Sequence, residues 1–232
     1  MRSRRTRHLL YDPFPGLEVS AAPRELASHL LHIGAEVEHA LAVQYLYAAY
    51  SLGGRDLTHE QAGLVQQWRS TVLEIAREEM GHLVTVLNLL TSLGSPISLD
   101  REDFPIPTEL YPFPFELEPL TKGSLGKYVL AEMPDRATLA KQGLEQEIDA
   151  IAARVGLSDT SPVHRVGRIY QRVQALFTVP DGAPTPATLV TASDFQSGCG
   201  RRQARRGEWE LGYKNLLILQ ATSRDAAAKV VR

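Results

Sequence analysis

Residues 74–83 read EIAREEMGHL, a stretch with the apolar spacing of a buried helix that nonetheless carries two adjacent carboxylates and, one turn later, a histidine. Around it, Val65, Trp68, Val72, Ile75, Glu79, His82, Val86, Leu89 and Leu93 recur at steps of three and four. Such positions face partner helices in a bundle. Glu79 and His82 therefore fall on two consecutive core-facing positions. The helix that carries them is expected to begin near Thr58, where Gln61 completes a capping-box pattern, and to end at Gly94 and Pro96.

Upstream, a second long pattern opens at Pro23, with Ser20 as a cap, and runs to about Leu52 before the glycine pair Gly53 and Gly54. Its stripe is Ala27, Leu31, Gly34, Glu38, Leu41, Tyr45, Ala48 and Leu52, with Glu38 its single charged member. An isolated carboxylate in an apolar interior costs several kcal/mol unless it is paired, hydrogen-bonded or bound to a metal. Two such carboxylates and an imidazole, arriving from two helices, need a shared partner. Glu-x-x-His places a carboxylate and an imidazole side by side on one helix face, and a Glu from a neighbouring helix completes half of a carboxylate-bridged di-iron or di-manganese site. The same set also suits a mononuclear oxygen-activating iron site. Glu78, one position off the seam, reads as a solvated group or one that supports the ligands from outside; His39, beside Glu38, reads the same way. The opposing reading, Glu-x-x-His by chance on an exposed helix, is weakened by the position of both residues on the apolar stripe.

The bulk properties exclude more than they assign. The chain has 232 residues, 25 Lys and Arg against 27 Asp and Glu, and a net charge of −2, so nothing global points to nucleic acid or an anionic membrane. One cysteine, Cys199, excludes an internal disulfide framework and a Cys-rich zinc module, and a reducing cytoplasm is the expected compartment. No window reaches the roughly 20 apolar residues that span a bilayer. Residues 1–22 read as a flexible basic arm and residues 23–232 as one domain.

Elsewhere the reading is all-α with two irregular excursions. Between Pro96 and Pro119 the prolines and aromatics form neither helix nor central strand. A helix is expected over Ser124–Met133, another across 134–156, and one over 161–177 with Ser161 as cap and Pro162 at its first position. From Val179 to Tyr213 the chain is rich in Pro, Gly, Ser and Arg and reads as loop or lid. Residues 214–221 suggest a short strand, and Thr222 or Ser223 caps a final helix that reads as incomplete.

The blocks LLHIGAEVEHALAVQYLYAAYSLGG, IAREEMGHLVTVLNLLTSLGSP and DREDFPIPTELYPFPFELEPLTKGSLGKYVLAEMPD resemble the ferritin-like domain of the iminophenylpyruvate dimer synthases of violacein and rebeccamycin biosynthesis and their stand-alone relatives. The agreement covers residues 25–135 and is weaker beyond. The resemblance implies a ferritin-like four-helix bundle with metal ligands Glu38, Glu79 and His82. Glu132 matches a further family position, either a ligand or a helix-end acceptor. The sequence departs from the family at VGRIY, which puts Arg168 where a ligand Glu is expected; a guanidinium cannot ligate a metal but can hold an anionic substrate. His164 is a substitute ligand or a structural histidine. The final helix lacks the family's Gly- and Glu-rich continuation, which a truncation, a disordered tail left out of the sequence or a lost half-site would equally produce.

Two functions follow as expectations. The first is a non-haem oxidoreductase using iron, mono- or dinuclear, or manganese, on a small amino-acid-derived or aromatic intermediate of natural-product biosynthesis, with Arg168, Tyr45 and Tyr170 as pocket contacts and Trp68 as core packing. The second is a metal-poor ferritin-like binding or scaffold protein. Iron storage fits poorly with the long irregular segments. A small-molecule substrate is the expected partner, and a homodimer the expected assembly.

Overall fold

The computed structural model describes residues 22–106, 115–134, 136–157, 166–179, 189–209 and 216–231. Ser20, Ser161, Pro162, His164 and most of the basic arm lie outside the described residues, as do 107–114, 180–188 and 210–215. The fold is all-α. Seven helices are described, α1 (Pro23–Ser51), α2 (His59–Ser92), α3 (Lys122–Glu132), α4 (Arg136–Gln142), α5 (Glu145–Arg154), α6 (Val166–Phe177) and α7 (Arg224–Val230), with three single 3-10 turns between α6 and α7. At 1.5 Å per residue, α1 and α2 are about 44 and 51 Å long. No described helix is long and apolar enough to cross a membrane.

The ends of these helices follow local chemistry. The Thr58 hydroxyl accepts from the Gln61 backbone N–H while the Gln61 side chain accepts from the Thr58 N–H, so the expected capping box starts α2. Gly94, at φ +65°, ends it: the Gly94 N–H reaches Thr91 O and the Ser95 N–H reaches Leu90 O, the pairing that satisfies the last carbonyls of a helix. α3 begins two residues before the expected Ser124, because Thr121 is the cap and Ser124 the reciprocating third residue. The single helix expected across 134–156 is instead two, α4 and α5. Gly143 at φ +71° closes α4 with the same bonding, through Gly143 N to Ala140 O and Leu144 N to Leu139 O. Ser223 caps α7 through its side chain.

The chain divides into two units, Met1–Ala40 with Arg77–Arg101 and Arg168–Arg232, and Leu41–Ala76 with Glu102–Gly167. In the first, Arg24 donates to Leu93 O at 2.8 Å, tying the start of α1 to the end of α2. The second half of α2 is buried on two faces. One is the apolar stripe through Val86, Leu89 and Leu93. The other is polar: Thr85 accepts from Leu219 N–H, Asn88 bonds Ala204 N–H, Ala204 O and Leu219 O, and Ser92 donates to Ala221 O. These bonds explain why 216–221 is not the expected strand. Its backbone groups are taken by side chains of α2 and by Gln203, leaving no ladder, and no strand occurs among the described residues beyond an isolated bridge between Ile106 and Phe115.

In the second unit, the first half of α2 corrects the expected seam. Trp68 is 52% exposed, so it is not core packing. The inward residue is Arg69, whose guanidinium donates to Ala49 O and Leu52 O. Carbonyls at a helix C-terminus lack intrahelical partners and carry partial negative charge, so a cation at the end of α1 is favoured over an indole. Nearby, Tyr128 meets Tyr45 edge-on at 5.4 Å and Phe115 at 6.4 Å, and Gln44 donates to the Tyr128 hydroxyl. In α3, Gly126 leaves room for Ile151 of α5 and for Val155, which caps it.

Candidate metal centre

Glu38 lies in α1, three and a half turns before its end, and Glu79 and His82 lie one turn apart in α2. All three belong to the first unit. Each offers one ligand atom, and these atoms lie within 4.8 Å of one another. It is the one group of three or more such residues among the described residues. Both carboxylates are buried, as the apolar stripes require. His82 differs from the core position expected for it: its side chain is 53% exposed. Its Nδ1 stands 3.2 Å from Glu79 Oε2 and 3.4 Å from Glu38 Oε2, so one ring edge meets the carboxylates while much of the ring meets solvent.

The electrostatics follow from that placement. The two carboxylates, Glu38 first and then Glu79, push the His82 imidazole up to about 10 against the opposing effect of burial. Glu79 rises to about 7, chiefly because burial penalises its charge, with Glu38 beside it adding repulsion that the hydrogen bond to His82 partly offsets. A histidine held as a cation between two acidic groups is occupying the place of a cation.

The fit to a metal ion rests on Glu38. Its Oε1 accepts a hydrogen bond from the Tyr170 hydroxyl. Its Oε2 is buried and has no hydrogen-bond partner; the 3.4 Å approach of His82 is an ion pair without hydrogen-bond alignment. A buried carboxylate oxygen left so is costly, and a divalent cation among the three donors would satisfy it. Two oxygens and one imidazole nitrogen form a donor set suited to iron or manganese.

The remaining sequence-derived residues take varied places. Tyr170 donates to Glu38 and so touches a candidate ligand. Tyr45 is buried and donates to Glu132 at 3.3 Å, and Glu132, exposed at the end of α3, is outside the group of three. His39 bonds Leu99 O at 2.9 Å, and Glu78 is exposed. Arg168 lies in α6, and its side chain is outside the described residues. The sequence reading missed the pairing of Tyr170 with Glu38; the one hint was Gly34 in the stripe of α1, an unfilled place one turn before Glu38.

The ferritin-like family model matches residues 31–211, which include all three candidate ligands. Dichlorochromopyrrolate synthase of Lentzea aerocolonigenes is 33% identical over 135 residues, which cover 49% of this chain and 13% of that protein. The 2-imino-3-(indol-3-yl)propanoate dimerase of Chromobacterium violaceum is 32% identical over 126 residues, 43% of this chain and 12% of that protein. The matched region thus spans about an eighth of each relative's length. No solved structure matches the chain significantly.

Proposed function

The chain belongs to the ferritin-like family, and from that premise we propose that it is a non-haem iron-dependent oxidoreductase acting on a small amino-acid-derived or aromatic intermediate of natural-product biosynthesis. The observation that carries the proposal is the buried Oε2 of Glu38, which has no hydrogen-bond partner, beside Glu79 and His82. The substrate class rests on the names of the relatives, one of which denotes the dimerisation of an indole-bearing imine.

Glu38, Glu79 and His82 would hold one ferrous ion, with manganese as the alternative. Such an ion supplies one-electron chemistry and open coordination positions for dioxygen. The protein's own residues do the rest. The two carboxylates lie in a medium of low dielectric, where the attraction of an ionised carboxylate for a cation is strengthened. The Tyr170 hydroxyl holds one oxygen of Glu38. The half-exposed ring of His82 makes the edge of the site reachable from solvent, and its Nδ1 holds a proton between the carboxylates until a cation displaces it.

The test is turnover. Protein loaded with ferrous ion under nitrogen is given 2-imino-3-(indol-3-yl)propanoate and then air, with oxygen uptake and product mass recorded. Uptake coupled to a new product, and lost in His82→Ala, is expected. Binding of the imine without oxygen uptake or product would replace this reading with the metal-poor binding protein.

A further inference from the structure

We propose that Tyr170 is a positioning residue for the metal centre: its hydroxyl fixes which oxygen of Glu38 faces the cation, and Gly34 provides the space that lets it. This rests on the metal-binding reading above, and extends it to two residues outside the ligand set.

A buried carboxylate on a flexible side chain can turn either oxygen, or both, toward a cation. Tyr170 removes that freedom. Its hydroxyl donates to Oε1 of Glu38, leaving Oε2 as the oxygen beside His82 Nδ1. The carboxylate would thus present a single oxygen to a cation shared with Glu79 and His82. A donor to the outer oxygen of a ligating carboxylate also keeps that group oriented.

The placement depends on a missing side chain. Gly34 and Glu38 are four residues apart and so lie on one face of α1. The Tyr170 ring, arriving from α6, lies over Gly34 to reach Glu38 one turn further along. A Cβ at Gly34 would come within 3.2 Å of the Tyr170 hydroxyl oxygen and 3.5 Å of Cε1 and Cζ. At that distance the ring has to shift by a few tenths of an ångström, away from the geometry that serves Glu38. Glycine in a helix interior is otherwise unfavourable relative to alanine, and its place beside the ring accounts for it.

The experiment uses cobalt(II) as a spectroscopic probe on the full chain. Wild type, Tyr170→Phe and Gly34→Ala are titrated with Co(II), and affinity, visible d–d spectrum and thermal midpoint are read for each. Tyr170→Phe is expected to bind Co(II) about 10- to 100-fold more weakly with an altered d–d band, as Glu38 adopts a second binding mode. Gly34→Ala keeps the phenol and improves helix propensity, so it is expected to weaken binding and shift the band while its thermal midpoint stays level or rises. A merely structural role would lower stability and leave the spectrum of the bound fraction unchanged. Wild-type affinity and spectrum in both variants overturn the role of Tyr170 alone; absence of Co(II) binding by wild type overturns the metal reading and this one with it.

Discussion

At the scale of single residues, the decisive feature is a proton where a cation fits. His82 is held up to about 10 and Glu79 up to about 7, so below these values a metal ion has to displace protons. Binding therefore strengthens as pH rises. Between pH 7 and 9, where His82 supplies the proton, the logarithm of the apparent affinity should climb about one unit per pH unit, and more steeply below pH 7 as Glu79 joins. Competition titrations with a chromophoric chelator measure that slope, and a flat profile would show that His82 is not displaced. Glu38, Glu79 and His82 were legible in the sequence because charge on an apolar stripe needs a partner. Tyr170 was not legible in this role. Its bond to Glu38 depends on how α6 packs against α1, which no spacing along either helix reveals.

At the scale of elements, the second half of α2 explains why 216–221 is extended yet unpaired. Asn88 alone satisfies Ala204 N–H, Ala204 O and Leu219 O. Asn88→Ala strands several buried backbone groups at about 1–3 kcal/mol each, so a loss of about 3 kcal/mol in urea denaturation is expected. The sequence reading took the apolar run around Ile218 for a strand because apolar, β-branched composition reports burial; it does not report who takes the hydrogen bonds. The signal for the true arrangement was present as Gly81, Thr85, Asn88 and Ser92 at helical spacing, a polar stripe beside the apolar one. The first half of α2 gave the opposite error. The stripe of α2 puts Trp68 in the core, whereas the carbonyls ending α1 draw the neighbouring Arg69 inward and leave Trp68 exposed. Trp68→Gln should accordingly change stability by less than about 0.5 kcal/mol, measured by the same denaturation, whereas a buried indole would cost several times that.

At the scale of the whole molecule, the all-α class and the two long helices followed from periodicity and caps, and the ferritin-like assignment is independent support for them. What periodicity did not give was the division at Gly143, since a glycine in a charged helical pattern reads as tolerated until its φ is known. The proposed function joins one family, three candidate ligand atoms and similarity to two named relatives, and its central claim is that the chain binds a metal at Glu38, Glu79 and His82. Metal analysis of protein purified and loaded with ferrous ion under nitrogen tests that claim most directly. About one iron per chain in wild type, falling to near zero in Glu79→Ala with its fold intact by circular dichroism, is the expected result. Sub-stoichiometric iron that Glu79→Ala leaves unchanged would contradict it.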